Sequence, residues 1–320
     1  MLVHLRLTVP HDLAAQVRAA LVDRECATNL VVHEGASVDP EGDLIECDVA
    51  REKASEVLDE LSDLGLDERG GIVVISPSST PFTRARELEA DAPGDPDDAV
   101  IWDAVQDVAE AASRPTLSFH IFLVLAIILA AIAVITDSAV LVVGAMVVGP
   151  EFGAIAAVCA GLVFLRGDLV LAGLKLLLFA FVFAIAVVTA LALVAHATGL
   201  ITDEMVSRPR PQTGFIWHPD RWSFLVALVA GTAGVLALST EKTATMVGVL
   251  ISVTTVPAAG NLALGLATWE TGEILGSLAQ LGANVGGMIL AGTVFLAVQR
   301  RTWGWLTVHS ERWFGQSPVK

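Results

Sequence analysis

The chain has 320 residues, 54% of them apolar, a mean hydropathy of +0.67 and a formal net charge of −16. Apolar runs of 18 or more residues exclude an ordinary soluble protein and place the chain among integral membrane proteins. The negative balance excludes a nucleic-acid binder, which needs a basic face.

The charge is uneven. Residues 1–113 hold 25 Asp/Glu and 8 Lys/Arg, whereas residues 114–320 hold 10 and 11. An acidic soluble part therefore precedes a membrane part. Arg far outnumbers Lys, and such an acidic surface suits a high-salt cytoplasm where self-repulsion is screened, so a halophilic source is expected. The opening MLVHLRLTVPHDL lacks the pattern of a secretory signal, and the acidic part is expected to be cytoplasmic. Cys26, Cys47 and Cys159 have no metal-like or disulfide spacing and read as small apolar fillers.

In chain order, residues 2–8 alternate as a strand. A helix follows from Pro10 and Asp12 to about Glu25, with Leu13, Val17, Ala20 and Leu21 on one face. Strands over 29–38 and 44–49 flank a turn at 39–43. A helix over 51–64 buries Val57, Leu58 and Leu61, and a last strand covers 72–76. The order β-α-β-β-α-β predicts a ferredoxin-like α+β domain over residues 1–76. His4, His11 and His33 are scattered in it, and no triad or phosphate loop appears. Residues 77–98 read as a polar, Pro-rich linker. Residues 97–114 then read as a helix with Asp98 as N-cap and Ile101, Val105 and Val108 on one stripe, so residues 77–114 form a linker and juxtamembrane helix.

Six spans are predicted within residues 115–300, over 117–136, 139–165, 169–197, 222–240, 244–268 and 274–298, with a cytoplasmic tail at 301–320. Arg114, Arg166, Lys175, Lys242, Arg300, Arg301 and Arg312 lie near the proposed inner ends, against Arg208, Arg210 and Arg221 in the outer loop 199–221. This bias predicts a multi-pass protein of the cell membrane with both termini cytoplasmic. Trp217 and Trp222 in the outer loop suit an interface belt.

Spans one to three and four to six read as two copies of one unit. Each has a plain span, then one interrupted by Gly and Pro, then an acidic turn and a third span. With three spans per unit the second copy crosses in the opposite sense, giving a membrane all-α domain built as a 3+3 inverted repeat with two broken helices. Paired interruptions of this kind point to a transport site. Breaks free backbone groups that persist in a membrane only where protein or a water-filled cavity surrounds them. Pro150 and Pro257 are each expected as the first residue of a second half-helix, where the missing N–H costs nothing. Glu151 then lies in a first helical turn, which favours its charged form while burial opposes it. Lys175 and Lys242 are its candidate charge partners. Thr254, Thr255, Asn261 and Asn284 are candidate neutral ligands for a cation or polar solute; as an alternative, Thr bonds its own helix and Asn ties helices together. Asp137 and Asp168, at span ends, are expected to be solvated.

The segment SAVLVVGAMVVGPEFGAI resembles the signature of an uncharacterised hydrophobic-domain membrane protein family of bacteria and archaea, a domain-of-unknown-function family. VGVLISVTTVPAAGNLALG with the Asn284 segment resembles a second signature. The resemblance covers about residues 115–298 and implies a soluble N-terminal part joined to a multi-span part, without an activity. Many members have Pro-Leu-Met-Gly-Pro where this chain has Pro150-Glu151-Phe152-Gly153-Ala154, and a double proline where it has Val256-Pro257. A role for Glu151 therefore belongs to a subgroup.

The expected function is a transporter or channel-like permease for an ion or small polar solute. The alternative is a non-transporting sensor or scaffold whose soluble domain binds a ligand or partner. No Ser/His, His/Glu or paired-Asp constellation lies within the spans, so an enzyme is not expected. No cofactor or metal is implied. The expected partners are the lipid bilayer and further copies of the chain.

Overall fold

The computed structural model describes residues 2–22, 24–92, 99–240 and 253–314. It divides into two compact units, Met1–Ala104 with Thr302–Lys320 and Val105–Arg301. Lys242, Asp98 and the first part of the fifth expected span lie outside the described residues.

The first unit is built on a four-stranded antiparallel sheet of order β2-β3-β1-β4. Its strands are β1 (Leu2–Pro10), β2 (Ala27–Val38), β3 (Glu41–Ala50) and β4 (Gly71–Ile75). Alternation sends Val3, Leu5, Leu7 and Val9 of β1 and Ile45, Cys47 and Val49 of β3 to one face. Helices α1 (His11–Val22) and α2 (Ala54–Asp63) cover that face with Leu13, Val17 and Leu21, and with Val57, Leu58 and Leu61. The expected β-α-β-β-α-β order is present. A one-turn helix α3 (Leu66–Arg69) is added before β4. Between Gly71 and Ile75, β4 pairs with β1 along His4–Thr8.

The expected linker at 77–98 requires correction. Residues Thr83–Asp91 form helix α4, and Ala85, Leu88 and Ala92 pack with Leu2 and Ala50 in a second small core. The stretch looked like a linker because its composition is polar; two apolar residues one turn apart suffice to dock it. Helix α5 (Trp102–Ala112) starts later than expected, with Ile101 buried in the main core of the first unit.

Among the described residues, four helices are long and apolar enough to cross a membrane: α6 (Leu117–Thr136), α9 (Gly167–Ala197), α11 (Arg221–Ser239) and Thr271–Thr302 of α13 (Thr271–Phe314). The pair α7 (Ala139–Val148) and α8 (Glu151–Val163), bent by 54°, makes a fifth span if counted as one. Helix α12 (Thr255–Thr268) has 14 residues. The last helix runs well past the expected end at 298, so the segment from 301 to 314 is helical. At the start of the unit, the Glu110 carboxylate of α5 binds Arg114 at 3.0 Å and Arg166 at 3.2 Å. These two guanidiniums hold it below the ordinary carboxylate range, Arg114 most.

The segment between α9 and α11 folds over its own unit. It contains the short helix α10 (Asp203–Ser207), and Val206, Arg210, Thr213 and Ile216 are buried. Asp137, expected to be solvated, accepts from the Gln212 backbone N–H at 3.2 Å and from the Thr213 hydroxyl at 2.8 Å. Asp168 stays exposed and pairs with Arg166 at 2.8 Å. Trp222 is 74% exposed, whereas Trp217 lies against Gly272 and Gly276 of α13.

Candidate functional site

The break between α7 and α8 follows from two residues. A residue preceding proline is pushed toward extended backbone, and Gly149 has φ −66° and ψ 128°. Helix α7 stops there, and Pro150 becomes the N-cap of α8 rather than its first helical residue. Gly149 is also required for space, because a Cβ there would run into the Glu151 carboxylate and the Val256 side chain.

Glu151 opens α8 and is 5% exposed. Its Oε1 accepts from the Thr255 hydroxyl at 2.7 Å, and its Oε2 has no hydrogen-bond partner among the described residues. The broken span thus meets the start of α12. Pro257 sits third in that helix, not first as expected; the first-turn N–H groups have no intrahelical acceptor in any case, so the ring is tolerated equally well. No cation pairs with Glu151 among the described residues. Lys175 lies exposed on α9.

Thr254 is the N-cap of α12 but does not cap it. Its hydroxyl oxygen instead accepts from Gln280 Nε2 at 2.9 Å and from Asn284 Nδ2 at 3.0 Å. A hydroxyl oxygen carries two lone pairs, so it can accept from both amide nitrogens at once. That leaves Gln280 Oε1 turned away, buried and without a partner among the described residues.

Asn261 belongs to a second cluster. It lies seven residues beyond Thr254, about 10 Å along the helix. Its Nδ2 donates to Glu273 Oε2 at 2.6 Å and to Ser277 Oγ at 2.9 Å, and its Oδ1 accepts from Arg210 Nη1 at 2.7 Å. Arg210 Nη2 also pairs with Glu273 Oε1. All four side chains are buried.

The two clusters form the rungs of one polar seam between α12 and α13. Glu273, Ser277, Gln280 and Asn284 recur at four, three and four residues, which aligns them on one face of α13. Thr254 and Asn261 face them from α12. The structure thus brings Glu151, Pro150, Thr254, Thr255 and Asn284 around one site and places Asn261 in the next rung. Sequence reasoning missed Gln280, Ser277, Glu273 and Arg210, although the spacing of the first three with Asn284 is visible in the chain. Among the described residues no group of three or more His, Cys, Asp or Glu could hold a metal ion.

Residues 146–290 match the family model described as domain of unknown function (DUF389), the segment that carries the break at Gly149-Pro150, the start of α12 and the seam. No curated protein and no solved structure matches the chain.

Proposed function

We propose that the chain is a permease for an ion or small polar solute, with its site where Glu151 meets the start of α12. The observation that carries this reading is a correspondence between the two halves. Helices begin at Leu117, Glu151 and Gly167, and again at Arg221, Thr255 and Thr271, each 104 residues later. The breaks after α8 and α12 keep the same offset. Leu165 and Trp269 both have positive φ, and the following N–H groups of Arg166 and Glu270 bond back to Gly161 and Gly265. Such agreement supports a 3+3 inverted repeat, the architecture in which paired broken helices frame a solute site.

In that correspondence Glu151 and Thr255 are equivalent positions, and they hydrogen-bond to each other. Equivalent residues touch only beside the axis that relates the two copies. Glu151, whose second oxygen has no hydrogen-bond partner among the described residues, then lies at the centre of the repeat. A buried carboxylate suits a proton- or cation-linked role, because an ionisable group inside a membrane is expensive to keep without a use. The reading includes a surrounding bilayer, cytoplasmic termini and a homo-oligomeric assembly.

Reconstitution in liposomes with a pH- or ion-sensitive dye tests it. The wild-type chain is expected to carry a flux that Glu151→Gln reduces at least about tenfold, equivalent to ~1.4 kcal/mol. A flux unchanged by Glu151→Gln removes Glu151 from the mechanism, and no flux for any ion or solute tried overturns the permease.

A second reading, a membrane-anchored ligand sensor, draws on a cavity of about 380 Å³ in the first unit, lined by Glu25, Cys26, Lys53, Arg84 and Asp91 among others. It predicts ligand-dependent stabilisation of the chain without flux.

A further inference from the structure

Arg210 is the feature that the permease site does not use. It stands in the run Pro209-Arg210-Pro211, and the proline after it restricts it to extended backbone before the side chain is placed. The side chain enters between α12 and α13 and is 2% exposed. Its two terminal nitrogens meet two different acceptors, Asn261 Oδ1 and Glu273 Oε1. Asn261 Nδ2 holds the other Glu273 oxygen and Ser277, which fixes the orientation of both acceptors. A buried ion pair is weak evidence for a stabilising role, since desolvation offsets much of its attraction. What this arrangement does provide is a fork of two acceptors, one charged, on the same seam as Thr254, Gln280 and Asn284.

We propose that Glu273, Asn261 and Ser277 form a binding site for a guanidinium-type cation, which Arg210 fills from within as a tethered ligand. The carboxylate supplies one negative charge, matching one monovalent cation. The paired acceptors match the planar N–H fork of a guanidinium better than the point charge of an ammonium ion. Because Arg210 belongs to the segment between α9 and α11, its position couples that segment to the polar seam. Asp137 holds the same segment through Gln212 and Thr213, and Arg208 holds it by donating to the Ile135 carbonyl at 2.5 Å.

The inference rests on the permease reading only in placing this site on a solute path. That reading is judged by the Glu151→Gln flux, whereas occupancy of the Arg210 site is read by stability alone. The probe is guanidinium chloride at low-millimolar concentration, with choline chloride at equal ionic strength as control. The full chain in detergent carrying Arg210→Ala is expected to melt below wild type. Guanidinium should raise its melting temperature saturably and choline should not, while wild type, already occupied, responds to neither. Adding Glu273→Gln should abolish the response, and Arg210→Lys should show a weaker one or none. If Arg210→Ala cannot be recovered in choline buffer, its monodisperse yield in guanidinium buffer against choline buffer is the same readout. Equal effects of guanidinium and choline, or a response kept by the Arg210→Ala/Glu273→Gln chain, overturn the proposal.

Discussion

Gly149 shows how one residue serves two needs. It accepts the extended backbone that Pro150 imposes, and it leaves room for the Glu151 carboxylate and for Val256. Gly149→Ala should therefore displace Glu151 from Thr255 and lower flux as Glu151→Gln does, measured in the same liposomes. Cys47 makes a separate prediction at the same scale. Burial, helped by Asp48, pushes its thiol up from an ordinary 9.0 to about 12. Below pH 9 the thiol is neutral in folded and unfolded chains alike, and its contribution is intact. Above pH 9 only the unfolded thiol ionises readily, so stability falls as pH rises toward 12. Cys47→Ala should flatten that alkaline loss in melting experiments, and Cys47 should resist alkylation in the native chain at neutral pH. Glu151 and Pro150 were legible as residues because a carboxylate and a proline are both out of place in an apolar run. Thr255 was legible as a candidate ligand but not as the partner of Glu151, since a hydroxyl 104 residues away leaves no local trace of the pairing.

Helix α12 is buried along nearly its whole length. A Cβ on Gly260 would lie 2.7 Å from Ala130 Cβ and 2.8 Å from the Ala131 nitrogen of α6. Backbone cannot yield as a flexible side chain can, so Gly260→Ala should cost about 1–3 kcal/mol of stability. Gly282 on α13 meets nothing within 4 Å, and Gly282→Ala should be neutral or gain up to about 1 kcal/mol through helix propensity. Thermal melts of the two variants in one detergent check the contrast. The spans α6, α9 and α11 were readable as apolar runs. The role of α13 was hidden because its polar face is diluted by the apolar residues around it. The segment 199–221 read as a loop because of its prolines, yet those prolines present Arg210.

The whole molecule combines a strongly acidic first part with a membrane part that is near neutral. Like charges crowded on one surface repel less as salt screens them. The melting temperature of the full chain should accordingly rise from low to molar KCl, and a flat or falling response would remove the expectation of a halophilic protein. At this scale four spans, or five with the bent pair, stand where six were expected, because the fifth expected span is described only from residue 253 onward. The matching helix starts 104 residues apart give the proposed repeat a measurable form that sequence similarity between the halves did not.

By itself, the sequence determined the membrane class, the strand and helix order of the first part, and the position of the break at Pro150. Each depends on local quantities: apolar run length, a period of two or 3.6 residues, and the stereochemistry of proline. Tertiary structure alone decided that α4 docks and that Thr254 turns from capping to α13. It also decided that Asn261 leaves the Glu151 group for Arg210 and Glu273. Those outcomes depend on which buried polar atoms find partners across helices, and hydrogen bonds between residues 12 to 104 positions apart are set by packing rather than by neighbours in the chain.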